Sequence, residues 1–177
     1  MNTIAIPELT ALSHAGRAPE ITDADDLYGW LVGSWELEIH NYWGDVSERD
    51  LQAEAHFGWV LEGRAVQDVW IIPRPSERAK LPNPGLFSYG TTLRVWDPKI
   101  RAWQVTWINP VTGTHVHLLG RRSGKDIVQV GTNPEGTPIR WSFVEITPNS
   151  FRWTGETLAA DGETWLLQGD FRAKRIR

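Results

Sequence analysis

From Trp35 onward the chain keeps a two-residue rhythm, and no other feature restricts its folding as much. Trp35, Leu37 and Ile39 alternate with Glu36, Glu38 and His40, and Leu51, Ala53, Ala55, Phe57 and Trp59 alternate with Gln52, Glu54 and His56. Successive side chains leave an extended strand on opposite sides, so this pattern gives one apolar and one polar face. Wound into a helix, the same residues would scatter their apolar groups around the axis.

The rhythm restarts after each cluster of turn residues. Gly44-Asp45, Gly63, Asp97-Pro98, Asn109-Pro110, Ser123-Gly124, Asn133-Pro134, Pro148-Asn149 and Asp161-Gly162 separate short runs rich in β-branched and aromatic residues. The first two runs are those around Trp35 and Trp59. The others fall near 64–72, 87–96, 102–108, 114–120, 127–132, 139–146, 151–158 and 164–174. About ten short strands joined by short turns predict an all-β fold, a closed antiparallel up-and-down barrel, since closure removes exposed edges. Residues 1–20 read as a flexible arm and residues 21–177 as one barrel domain. One short N-terminal helix is expected over 23–31, with Thr22 as its cap and Gly33 beyond its end.

Composition narrows the function. A net charge of −4 argues against phosphate-backbone binding and against docking on an anionic membrane. The absence of cysteine removes disulfides, thiolate metal sites and cysteine nucleophiles. With no basic-apolar leader at Met1–Gly16, a soluble, cytoplasmic protein is the expectation. Eleven tryptophans stand beside one methionine. Each buried indole removes roughly 150–250 Å² from water and brings an N–H that needs an acceptor. Such rings fill wide interiors, grip flat ligands or seal interfaces.

Gly33-Ser-Trp35, placed at the start of the first strand, resembles the glycine-x-tryptophan opening of lipocalin-like calycin β-barrels. Tyr89-Gly-Thr-Thr-Leu-Arg-Val-Trp-Asp-Pro98 followed by Trp103-Gln-Val-Thr-Trp107 resembles uncharacterised bacterial members of that group. The strand count is similar to that of its ten-stranded branch, which includes fatty-acid-binding and nitrobindin-like barrels. The resemblance spans roughly residues 24–175. It implies Trp35 plugging one end of a barrel and a ligand cavity inside. Nitrobindin-like proteins hold haem through a histidine near the C-terminus, but this chain has none after His117. No cofactor is expected.

Local motifs add little reaction chemistry. His115-x-His117 places two imidazoles on one side of a strand, about 6.5–7 Å apart, with His56 or Glu54 as a third metal ligand. Val116 and Leu118 take the apolar phase, which turns both histidines outward, so no metal site is assigned. No nucleophile elbow, phosphate loop or dinucleotide fingerprint occurs.

With the aromatic phase inward, the cavity wall holds Trp103, Trp107, Trp141, Phe143 and Trp153, joined by Trp165 and Leu167. Polar residues sharing that phase become ligand contacts: Gln67, Asn109 and Gln129, with Asn41 and Glu145. Arg94, if inward, supplies a planar donor and pairs with Asp68.

The first functional reading is therefore binding of a small, flat, largely apolar molecule, hydrophobic or aromatic, inside the barrel. The alternative is a cofactor-free cyclase, isomerase or hydratase acting on an aromatic or polyketide-like substrate. Its catalytic candidates are Asp68, Arg94 and His56, the last with Glu54. A third is a homodimer sealed by outward rings at Trp43, Trp70 and Trp96. The proline-rich connection 73–85 is either a lid or a surface excursion.

Overall fold

The computed structural model describes residues 7–80 and 87–176. Ten antiparallel strands close into a barrel: β2 (Gly33–Tyr42), β3 (Gln52–Val60), β4 (Ala65–Ile72), β5 (Ser88–Asp97), β6 (Ala102–Asn109), β7 (Thr114–Ser123), β8 (Asp126–Thr132), β9 (Pro138–Val144), β10 (Ser150–Leu158) and β11 (Trp165–Arg175). Each strand pairs with its chain neighbours. The ring shuts where β11 meets β2, from Gly169 opposite Tyr42 to Arg175 opposite Trp35. Among the described residues no helix is long and apolar enough to cross a membrane.

The helix differs in place from the sequence expectation. The α-helix is α1, Pro7–Leu12, within the segment read as an arm. It leads into β1 (Ser13–His14), a short strand on the outside that pairs with Val60 and Trp59. Over 23–31 only a single 3₁₀ turn forms, Gly29–Leu31. Its run of aspartates explains this. Asp26 Oδ1 accepts from the Tyr28 and Gly29 amides at 3.2 and 2.7 Å, and Thr22 Oγ1 donates to Asp25 Oδ2 at 2.7 Å. Side chains that bond the local backbone compete with helical hydrogen bonds.

The closed end is solid. Leu37, Trp35, Tyr28, Trp103, Phe143 and Phe151 pack there, fully or almost fully buried. Rings meet edge to face, Tyr28–Trp103 at 5.2 Å and Trp35–Phe151 at 4.8 Å. Each indole at this end that is tied by its N–H bonds a backbone carbonyl: Trp30 to Leu27, Trp35 to Leu31 and Trp103 to Asp25, at 2.7–2.8 Å. Arg175 clamps the base, donating to the carbonyls of Val32, Trp30 and Pro148 with its guanidinium 4.1 Å from the Trp35 ring centre.

The connection after β4 begins along the outer wall, where Arg74 bridges Glu36 at 3.0 Å and Glu54 at 3.6 Å before a 3₁₀ helix, Pro75–Lys80. The rest of the proline-rich connection, 81–86, lies outside the described residues.

Candidate functional site

Above the packed base the barrel is hollow. The cavity measures about 490 Å³, within the range of about 300–1,000 Å³ usual for ligand pockets. Four indoles form a continuous chain around it. Trp107 meets Trp141 at 6.4 Å, Trp141 meets Trp153 at 5.7 Å, and Trp153 meets Trp70 at 5.8 Å. Phe171 stacks on Trp153 at 5.1 Å and 16°. Unlike Trp30, Trp35 and Trp103 of the base, these four indoles carry N–H groups that make no hydrogen bond among the described residues.

Glycines make the hollow. A Cβ on Gly90 would lie 2.5 Å from both the Trp107 ring and the Ile108 carbonyl oxygen. A Cβ on Gly155 or Gly169 would lie 2.7 or 2.9 Å from the Trp153 ring. Inward glycines therefore let the indoles lie flat against the staves instead of crossing the lumen.

The floor of the cavity carries a buried ion pair. Arg94 Nη1 donates to Asp68 Oδ2 at 2.6 Å, with side chains 3% and 0% exposed. The other carboxylate oxygen accepts the Thr92 amide at 2.7 Å. Rings of Tyr28, Phe57 and Phe143 surround the guanidinium at 5.1–5.8 Å. Charge is thus cancelled at close range, and both Asp68 oxygens are already engaged. The Tyr28 hydroxyl donates to Gln129 Oε1 at 3.2 Å, and burial pushes its pKa well above the usual phenol range. Arg94 Nε and Gln129 Nε2 lack partners among the described residues.

A second polar group lines the hollow. Asn109 Nδ2 donates to Ser88 Oγ at 3.1 Å, and the Tyr42 and Ser88 hydroxyls share a hydrogen at 2.7 Å. All three side chains are buried. Burial pushes the Tyr42 hydroxyl up to about 12, so it stays a neutral O–H at physiological pH.

No family model matches the chain, and no curated protein matches it in sequence.

Of the residues singled out from sequence, Arg94, Trp107, Asn109, Trp141 and Trp153 line the cavity. Asp68 sits directly behind Arg94. Trp103, Phe143 and Gln129 face inward but belong to the packed base, away from the cavity lining.

Others point elsewhere. His56 stands on the outer wall, its Nδ1 2.9 Å from Ser34 Oγ and its side chain 44% exposed, with Glu54 beside it at 3.9 Å. Gln67 also faces out, donating to Thr91 Oγ1 at 3.0 Å, because Val66, Asp68 and Trp70 hold the inward phase of β4. Asn41 accepts the Gly44 amide in a turn, and Glu145 is exposed beside Arg152. His115 and His117 stand side by side on the outer wall, and no group of metal-ligating side chains occurs among the described residues.

Trp165 and Leu167 leave the interior through a β-bulge. Gly155 pairs with Gly169 but Glu156 pairs with Leu167, so the extra residue Gln168 reverses the faces beyond it. Of the three rings expected outside, Trp70 lines the cavity and Trp96 packs 6.0 Å from Trp103. Only Trp43 is exposed, at 65%, and it stands at the cavity mouth against Tyr42.

Tyr42, Ser88 and Thr92 escaped the sequence reading. On β5 the inward set is Ser88, Gly90, Thr92 and Arg94, while Leu93 and Val95 face out. This stave inverts the apolar-in rule, and only its pairing with Trp107 and Val105 reveals the inversion.

Proposed function

We propose that this protein binds a small, flat, largely apolar molecule inside its barrel. One observation carries the reading: a void of about 490 Å³ ringed by four indoles whose N–H groups are unengaged. Aromatic faces on several sides suit a planar guest, and the few polar groups at fixed positions suit orientation rather than bulk solvation. The likeness of Gly33-Ser-Trp35 to calycin barrels agrees with this use. The reading of a cofactor-free enzyme draws less support, because the interior carboxylate Asp68 spends both oxygens on Arg94 and Thr92 and His56 is outside.

Tryptophan emission tests the proposal. Titration with neutral polycyclic aromatics should give saturable quenching at one site per chain, and Val116→Phe, which adds a ring to the cavity wall, should weaken it at least several-fold. The absence of saturable quenching across the series, or quenching indifferent to Val116→Phe, contradicts it.

A further inference from the structure

We infer that the guest is electrically neutral and carries a carbonyl-type oxygen, which docks on the hydroxyl–amide cluster of Tyr42, Ser88 and Asn109. This rests on the binding function proposed above and adds the chemical class of the ligand.

Hydrogen counting at the cluster comes first. Ser88 Oγ accepts one Asn109 Nδ2 hydrogen, and the Asn109 Oδ1 acceptor is already used by the Val111 amide at 3.1 Å. An amide nitrogen has two hydrogens, so one remains for a guest. Between Tyr42 and Ser88 a single hydrogen bond uses one of two hydroxyl hydrogens, whichever residue donates. One hydroxyl hydrogen therefore also remains. Two spare donors thus belong to buried side chains of the cavity lining, and a buried donor left unmet is costly. An acceptor oxygen with two lone pairs answers both.

Charge decides between a neutral carbonyl and a carboxylate. Arg94 is the cation on the lining, and Asp68 already neutralises it at 2.6 Å. The carboxylates on the lining are Glu135 and Glu156, the latter held by Arg140 at 2.7 Å. No uncompensated cation faces the hollow among the described residues. An anionic guest would lose its water with no counter-charge in return, whereas a ketone, quinone or similar group loses little and gains both donors.

Titration calorimetry with fluorene, 9-fluorenone and fluorene-9-carboxylate tests the inference. The expected order is fluorenone first, about tenfold tighter than fluorene, with the carboxylate weakest. In the triple variant Tyr42→Phe/Ser88→Ala/Asn109→Leu, which removes every donor of the cluster, the preference for fluorenone over fluorene should vanish, and retained binding of fluorene reports an intact barrel. Where that triple variant does not fold, Asn109→Leu alone carries the comparison, with the preference for fluorenone over fluorene reduced about fivefold. Equal binding of fluorene and fluorenone, tightest binding of the carboxylate, or a preference that survives the substitutions overturns the inference and leaves the cavity reading standing. No binding of any of the three overturns both.

Discussion

Asp68 and Arg94 show what a buried charge demands of its neighbours. Taking two ions out of water is expensive, and their mutual bond offsets that only while both are present. Asp68→Asn strands a cation among Tyr28, Phe57 and Phe143, and it should cost about 3–5 kcal/mol in urea unfolding. The double variant Asp68→Val/Arg94→Met should recover much of that loss, and simple additivity of the two single losses would count against a coupled pair. Asp161 gives the opposite case, at the surface. Thr164 Oγ1 and then the Glu163 and Thr164 amides donate to its carboxylate and hold its pKa at about 2. As pH falls, the unfolded chain takes up this proton first, near about 3.9, so the stabilisation is complete above that value and gone below about 2. The difference in Tm between the native chain and Asp161→Asn should shrink toward zero across that window. A constant difference would contradict the account. At this scale the sequence was half legible. Trp107 and Asn109 follow from parity, and on β3 parity already sets His56 opposite the apolar face, but on β4 and β5 it leaves open which face turns inward, so Gln67 was misplaced and Arg94 stayed conditional.

Strands were read more securely than the pieces between them. Alternation and turn residues place all ten, since one face is buried and a slip of one residue would expose it. Two elements departed from that reading for local reasons. Asp26 takes the amides of Tyr28 and Gly29 in place of helical acceptors, and the bulge at Gln168 turns Trp165 and Leu167 outward. Neither leaves a periodic signal. Glycines inside strands, often only weak points in a ladder, are here the device that keeps the lumen open. Gly90→Ala should press the Trp107 ring toward the cavity and strain the Ile108 carbonyl, costing about 1–3 kcal/mol and several-fold in affinity for a planar aromatic. Urea unfolding beside a quenching titration measures both. Unchanged values for both would mean that β5 and β6 have room the contacts do not allow.

Across the whole molecule, one sheet closed between β2 and β11 is divided along its axis into a solid half and a hollow half. The division follows side-chain size against ring size. Below, Tyr28, the residue before the 3₁₀ turn, enters the lumen and its hydroxyl occupies the space that the missing side chain of Gly120 leaves. Above, glycine opposite indole leaves space unfilled. Strand count and closure were readable from the chain, whereas the level at which filling stops was not, because it depends on which rings face across the barrel. Replacing the eleven tryptophans with 5-fluorotryptophan turns that level into a spectrum. On addition of fluorene, the ¹⁹F resonances of Trp43, Trp70, Trp107, Trp141 and Trp153 should shift, and those of Trp35 and Trp103 should stay. Shifts confined to the outer Trp165, or spread equally through the base, would contradict a barrel that holds its guest in a single aromatic chamber.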